Sequence, residues 1–497
     1  MLFNSTDFLI FFPIVTLIYY VIPYKVRYLW LLGCSYYFYM CWNPKYIVLL
    51  LFSTVVTYLS GLIMEWIKHS SLDASHKIIG KKCCVAGSFI LNLSLLGFFK
   101  YFDLFMGTLS HALGLLHIRL TVPSFDLLLP VGISFYTFQA LSYTVDVYRD
   151  EIYAEKNFFK YALFVSFFPQ LVAGPIERSK NLLVQINERH HLKYANVRDG
   201  LFLIFWGYFL KLVLADRIAI VVDTVYNEPS MYGGFYLIIA TILFAFQILC
   251  DFNGYTTIAR GAAQIMGFRL MENFNAPYFA DNVAGFWRRW HISLTSWFKD
   301  YLYIPLGGNR KGKLRKYLNI MIVFTVSGLW HGASFAFVLW GGLNGLYQVI
   351  GEILKPARDY IVNKLHICRE TFSHHILKVV STFALVDFAW LFFRAGSLGK
   401  SKEILINMLH FNPEILVDGS LYTLGIGQSE FHFLLIALMV LATADYLKYK
   451  RIDVLSKLQQ QNLWFRSLAF ALLFSAVILF GVFGPEYEAS QFIYFQF

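Results

Sequence analysis

Charge is scarce in this chain. Of its 497 residues, 15% are Asp, Glu, Lys or Arg, against about 25% in a soluble domain. A water-facing surface for a body of this size cannot be built from so few. Cysteine is scarcer still: six residues exclude a disulfide scaffold, and none has the C-x-x-C or Cys/His spacing that holds zinc, so no metal site is expected. The G-x-S-x-G, Walker A, G-x-G-x-x-G and H-E-x-x-H signatures are absent, which leaves ATP hydrolysis and dinucleotide chemistry without support. No internal repeat, low-complexity stretch or Pro/Ser-rich linker divides the chain, so residues 1–497 read as a single domain. No Lys or Arg precedes the first apolar run, Phe8–Tyr24. That run lacks the basic n-region of a signal peptide and is expected to stay in the protein.

Apolar residues are abundant, at 58%, and they come in long uncharged runs, which is the mark of lipid as solvent. Leu29–Cys41, Tyr46–Met64, Cys83–Phe99, Tyr161–Ile176, Pro229–Cys250, Phe431–Ala444 and Ser467–Gly484 follow the first run. Two more are impure: Leu201–Val222 carries Lys211, Asp216 and Arg217, and Val379–Phe393 carries Asp387. The longest, Tyr317–Gly351, has 35 residues and no charge. A straight helix of that length would measure about 50 Å, well beyond a hydrocarbon core of about 30 Å. It must form two spans or one broken helix, with Gly328 and Gly332 as break points. The expectation is an all-α polytopic membrane protein of roughly 10–12 transmembrane helices, some broken or re-entrant.

The formal net charge is +11, but the basic residues sit in short loops between apolar runs. They fit the positive-inside rule better than nucleic-acid binding, and no nucleic-acid partner is expected. Lys68, Lys77, Lys81 and Lys82 form one cluster. Arg178, Lys180, Arg189 and Lys193 form another, and Arg310, Lys311, Lys313, Arg315 and Lys316 the densest. Loops such as Asn227–Gly234 and Phe411–Glu430, and the tail after Gly484, carry no such excess. Both termini are therefore expected outside.

Polar residues within apolar surroundings mark where chemistry could occur. His331 lies in Ser327–Ser334, near the middle of the long uncharged run. An ionisable group at that depth faces a cavity or a partner, and imidazole can take and return a proton near neutral pH. The alternative is a neutral histidine packed between helices. His291 lies in Phe286–Arg310, where Trp290, Leu294, Trp297 and Tyr301 recur at helical spacing beside Arg288, Arg289 and Lys299. That pattern suits an amphipathic helix on the inner membrane face as well as a catalytic segment. Asp251 and Asn253 end one apolar run, and Gln139, Tyr143 and Asp146 share one helical face. They could line a site or simply join helices by hydrogen bonds.

Five stretches, taken in order and spacing, resemble the membrane-bound O-acyltransferase family, in particular its alginate O-acetyltransferase-like bacterial branch. They are Leu129–Tyr136, Ala173–Ile176, Asp251–Tyr255, Glu272–Asn275 and Trp287–Arg310. The likeness covers most of the chain and is densest over residues 129–344. One departure is Thr256-Thr257, where many relatives carry Ser-Asp, which puts a second carboxylate there in doubt.

The resemblance implies an O-acyltransferase with broken helices around a central tunnel. It implies an acetyl group delivered from cytosolic acetyl-CoA to hydroxyls of an extracytoplasmic polysaccharide, with no tightly bound cofactor. The family's hallmark histidine matches His331, as general base, and its second polar motif residue matches His291. Arg288, Arg289, Trp287, Asp251, Asn253, Gln139 and Ser334 become donor-binding or tunnel candidates. It also implies a bacterial inner-membrane location, contact with membrane lipids, and a separate extracytoplasmic partner protein that acetylates the polymer. Competing readings are the D-alanyl-transfer branch, whose donor is a carrier protein, a transporter or flippase, and a structural scaffold.

Overall fold

The computed structural model describes residues 1–117, 130–410, 412–483 and 493. Most of the tail after Gly484, residue 411 and Leu129, the first residue of the 129–344 core, lie outside the described residues. Every regular element described is helical. Six helices are long and apolar enough to cross a membrane: Pro44–His69, Ala74–Leu115, Gly234–Ile265, Phe372–Ala395, Gln428–Tyr449 and Leu463–Phe480. The remaining apolar sequence is carried by shorter or interrupted helices. The Tyr161–Ile176 run divides into Phe158–Ser166 and Phe168–Leu171. The Leu201–Val222 run is interrupted by a π-helical stretch over Phe209–Ala215.

The chain forms two compact units, Met1–Ile204 with Ile258–Met271, and Phe205–Thr257 with Glu272–Phe497. In the first, Ser5 caps the Thr6–Val21 helix by accepting the Phe8 N–H, and Phe3, Phe8, Phe38 and Phe168 form a buried aromatic cluster. Its helices are joined by small polar groups where lipid or water cannot serve. The Tyr161 hydroxyl donates to Thr57 Oγ1 (2.6 Å), Ser53 to Asn92 Oδ1 (2.5 Å) and Ser179 to Asp146 Oδ2 (2.6 Å). The Gln139 side-chain amide donates to the Phe164 carbonyl (2.6 Å). Glu177 accepts the Met271 N–H and the Asn181 side chain. Pairing of this kind is how buried polar groups are satisfied between membrane helices.

In the second unit the 35-residue uncharged run is a helical hairpin, Lys313–His331 followed by Phe335–Ile353. Each arm has 19 residues, about 28 Å of helix. The break falls at Gly332–Ser334. Gly332 is extended, and Ser334 caps the second arm by accepting the Ala336 N–H. Gly328 is not a break but a contact. A Cβ there would lie 2.2 Å from the Phe337 carbonyl oxygen, and one on Gly341 would lie 2.2 Å from that of Phe324. The arms touch backbone to backbone, as small residues allow between membrane helices.

The π-helical stretch has a consequence in the same unit. Its widened turn places the buried Lys211 ammonium between two buried carboxylates, Asp216 (2.9 Å) and Asp251 (2.6 Å). Two of the three charges that made this run impure as a lipid-facing span, Lys211 and Asp216, face one another, and the third, Arg217, donates to the Phe480 carbonyl (3.1 Å).

Candidate active site

His331 is the last residue of the first hairpin arm and is buried. Its Nδ1 lies 2.7 Å from the Ser327 carbonyl oxygen. A carbonyl oxygen can only accept, so Nδ1 carries the hydrogen and donates it. In the neutral ring the lone pair then belongs to Nε2. Gly332, where the arm ends, has no room for a side chain, because a Cβ there would meet the Phe337 ring at 2.2 Å.

The imidazole is walled by rings. Centroids of Trp340, Trp330 and Phe393 lie 4.8, 4.9 and 5.6 Å from it, all close to edge-to-face. Trp340 stacks on Trp390 at 5.5 Å. Trp287 donates its indole N–H to Asn344 Oδ1 (3.1 Å), and the Asn344 amide donates to the Trp340 carbonyl (2.9 Å). That bond ties the Val283–Trp287 helix to the second hairpin arm.

His291 reaches the same place from a different segment. Its ring centroid is 6.5 Å from that of His331 and 4.6 Å from that of Phe252. It is buried, and its backbone is left-handed, with φ 42° and ψ 54°. For a residue with a side chain this costs on the order of 1–3 kcal/mol and persists only where the surroundings impose it. The Glu272–Asn275 stretch imposes it here. Ile292 N–H donates to the Asn273 carbonyl (3.0 Å), Ser293 N–H to Asn273 Oδ1 (3.2 Å), and Asn275 N–H to the Arg289 carbonyl (3.0 Å).

The aromatic stripe expected on a single surface helix is therefore split. Trp290 precedes the kink, and the helix after it is Ile292–Phe298, seven residues long. Trp290, Leu294 and Trp297 are all buried, with Trp290 wedged between Phe286 and Trp390 at 5.3 and 5.0 Å. The stripe packs inward instead of lying on an interface.

The other candidates fall in several places. Trp287 is in the aromatic wall, and Ser334 is the cap beside the hairpin break. Asp251 pairs with Lys211, and its Oδ2 accepts the Ile493 backbone N–H (2.7 Å). Asn253 accepts the Thr257 hydroxyl (3.2 Å), so one of the two threonines that depart from the family pattern is used locally. Arg289 lies over the Tyr449 ring (5.1 Å) and donates to the Asn275 carbonyl (3.2 Å), whereas Arg288 is exposed. In the basic cluster, Lys316 pairs with Glu352 of the second arm. Gln139 belongs to the first unit. Trp340, Trp390, Phe393 and Asn344, which build the wall, were not singled out from sequence. Asn344 alone offered a signal, as an amide inside the uncharged run.

A family model described as MBOAT, membrane-bound O-acyltransferase family, matches residues 18–385. The chain belongs to the membrane-bound O-acyltransferase family. It is 33% identical to a peptidoglycan O-acetyltransferase of Helicobacter pylori, over 83% of this chain and 80% of that protein. It is 35% identical to a probable alginate O-acetylase of Pseudomonas aeruginosa, over 83% of this chain and 75% of that one. A teichoic acid D-alanyltransferase of Bacillus subtilis is 29% identical, but over only 44% of this chain and 58% of its own length. The protein is thus an all-α, multi-pass membrane O-acyltransferase, and the matched region contains both histidines.

Proposed function

We propose that this O-acyltransferase takes an acetyl group from acetyl-CoA on the basic face and passes it to hydroxyls of an extracytoplasmic polysaccharide, with His331 as general base. The observation that carries the proposal is the bond from Nδ1 to the Ser327 carbonyl at 2.7 Å, which assigns the basic lone pair to Nε2. In the step itself, Nε2 accepts the proton of a hydroxyl as its oxygen attacks the thioester carbonyl. The tetrahedral intermediate collapses with cleavage of the C–S bond, and the imidazolium returns the proton to the departing thiolate. His291, pinned by Asn273, orients the donor or stabilises the developing oxyanion. The aromatic wall keeps bulk water from competing for the acyl group.

A tunnel between broken helices would carry the acyl group through the membrane. Trp287, which contacts the Trp340 ring, and Ser334, at the hairpin break, are donor-binding candidates, and Asp251, Asn253 and Gln139 are candidates whose side chains already hold a partner. Arg288 and Arg289 and the 310–316 cluster are proposed to attract the donor phosphates, since Arg pairs phosphate bidentately and Lys acts as a point charge. Both termini are placed outside the inner membrane, and a separate secreted or anchored acetyltransferase completes delivery to the polymer. The breadth of the likeness to O-acetyltransferases, compared with the shorter match to the D-alanyl enzyme, supports acetyl over D-alanyl transfer.

The test uses purified protein in liposomes with acetyl-labelled coenzyme A. Label should leave the thioester only when an acceptor is present, and D-alanyl carrier protein should not substitute. Cleavage with the carrier-protein donor and none with acetyl-CoA would overturn the donor assignment.

A further inference from the structure

The first unit contains a cavity of about 260 Å³ remote in sequence from both histidines. Its floor is apolar and buried: Tyr19, Leu31, Leu163, Ile186 and Phe268. Its rim is polar and basic. Lys25 and Arg27 follow the first apolar helix directly, and Lys160 and His190 come from later segments.

The charges on this rim are unbalanced. Arg27 donates to the carbonyls of His190 (2.8 Å), Tyr20 (3.1 Å) and Ile22 (3.2 Å), all neutral acceptors, and stacks on Tyr19 and Tyr20. Lys160 donates to Asn187 Oδ1 (2.6 Å), another neutral acceptor, and lies over Tyr28. Lys25 is exposed. Against these three cations the lining offers a single carboxylate, Glu188. Burial holds His190 below the usual imidazole value, so at neutral pH it adds hydrogen-bonding capacity more than charge.

Tyrosine and basic side chains at the end of an apolar helix mark the depth of lipid headgroups. A basic recess at that depth with an apolar floor has two requirements of its ligand: an anionic, phosphate-sized head and a hydrocarbon portion beneath it. A water-soluble anion would use the rim and leave the floor wet.

We propose that this cavity binds the phosphodiester head of an anionic glycerophospholipid, with Lys25, Arg27 and Lys160 around the phosphate and the upper acyl chain over Leu31, Leu163 and Phe268. This site is independent of the acyl-transfer reading and would hold whatever the donor proves to be.

The test uses the full-length protein in a neutral detergent, after delipidation. Native mass spectrometry would follow binding of phosphatidylglycerol, phosphatidylcholine and inorganic phosphate. One saturable phosphatidylglycerol site is expected, with phosphatidylcholine much weaker and millimolar phosphate failing to compete. Removing one surface cation from an anionic-lipid site weakens binding by roughly fivefold. Lys25→Gln should show that loss, and Lys25→Arg should restore binding. Lys25 is exposed, so these variants leave the fold intact. Lys25→Gln with Lys160→Gln should lose more. Equal affinity for phosphatidylcholine, or phosphatidylglycerol binding unchanged in Lys25→Gln and in the double variant, would overturn the proposal. Full displacement by inorganic phosphate would reassign the cavity to a soluble phosphate and overturn the lipid assignment.

Discussion

The second unit buries two polar clusters, and they are built on opposite principles. At Lys211, an ammonium sits between the carboxylates of Asp216 and Asp251, each within 2.9 Å. Opposite charges are in direct contact, and the cluster ties the Phe209–Ala215 stretch to the Gly234–Ile265 helix. At His331, a base whose Nδ1 is committed to a carbonyl is surrounded by indole and phenyl rings. Contact between opposite charges serves cohesion. At His331 the ring is held by one carbonyl and by aromatic contacts, with no opposite charge among these partners, and on the proposed function that leaves Nε2 to exchange a proton. The contrast separates residues that sequence alone grouped together as polar intrusions.

The sharpest way to break that contrast is at Lys211. Lys211→Met leaves two buried carboxylates facing one another, and loss of one partner from a buried ion pair costs about 3–5 kcal/mol. Thermal unfolding in detergent should show a large fall, partly recovered by adding Asp251→Asn. A Lys211→Met protein as stable as the parent would make the cluster dispensable and remove the contrast.

Next in size is the hairpin. Gly341→Ala places a Cβ 2.2 Å from the Phe324 carbonyl, and the arms must separate at a cost of about 1–3 kcal/mol. Because His331 ends one arm, turnover should fall along with the melting temperature. If activity survives a measurable loss of stability, the hairpin does not position the base.

Asn344→Leu should be milder. It leaves the buried Trp287 N–H without its acceptor, at about 1–3 kcal/mol at most. Turnover should fall more than the change in melting temperature implies, since Asn344 links Trp287 to Trp340, and the Trp340 ring walls the imidazole. Unaltered kinetics would show that the wall tolerates rotation of the indole.

The smallest effect lies outside the membrane core. The hydrogen bond from Lys68, aided by Lys81, holds the Asp150 carboxyl below the usual carboxylate range. Its folded-state value is thus below the unfolded one, near 4. The contribution to stability is present above that pH and is lost as pH falls through the folded value. Both partners are solvent-accessible, so the effect is screened and small. Asp150→Asn should flatten the acid limb of the melting temperature against pH slightly, and an unchanged acid limb would show the pair contributes nothing.

Some of this was legible in the sequence. Length required the 35-residue uncharged run to be two spans or one broken helix, and the structure makes it a hairpin. Its turn fell at Gly332, one of the two expected points, while Gly328 proved to be where the arms touch. The burial of His331 was legible from its place in the run. From spacing alone His291 was only a member of an aromatic stripe, and the family resemblance singled it out; the left-handed kink at His291 cannot be read from spacing. The approach of His291 to His331 is a tertiary fact between residues forty positions apart. Lys211, Asp216 and Asp251 were each visible as intrusions. Their pairing was not, because it depends on the π-helical turn that rotates Lys211 towards its partners. Trp340, Trp390 and Phe393 carried no signal, being aromatic residues in a chain where 19% are aromatic.

The most direct test of the central claim is the acyl-transfer rate of His331→Ala, measured with its melting temperature and with added imidazole. The account predicts a melting temperature near that of the parent, a rate lower by roughly 10²–10⁴-fold, and partial rescue by imidazole that follows its unprotonated fraction as pH rises. A folded His331→Ala protein that transfers acetyl at the parental rate would contradict it.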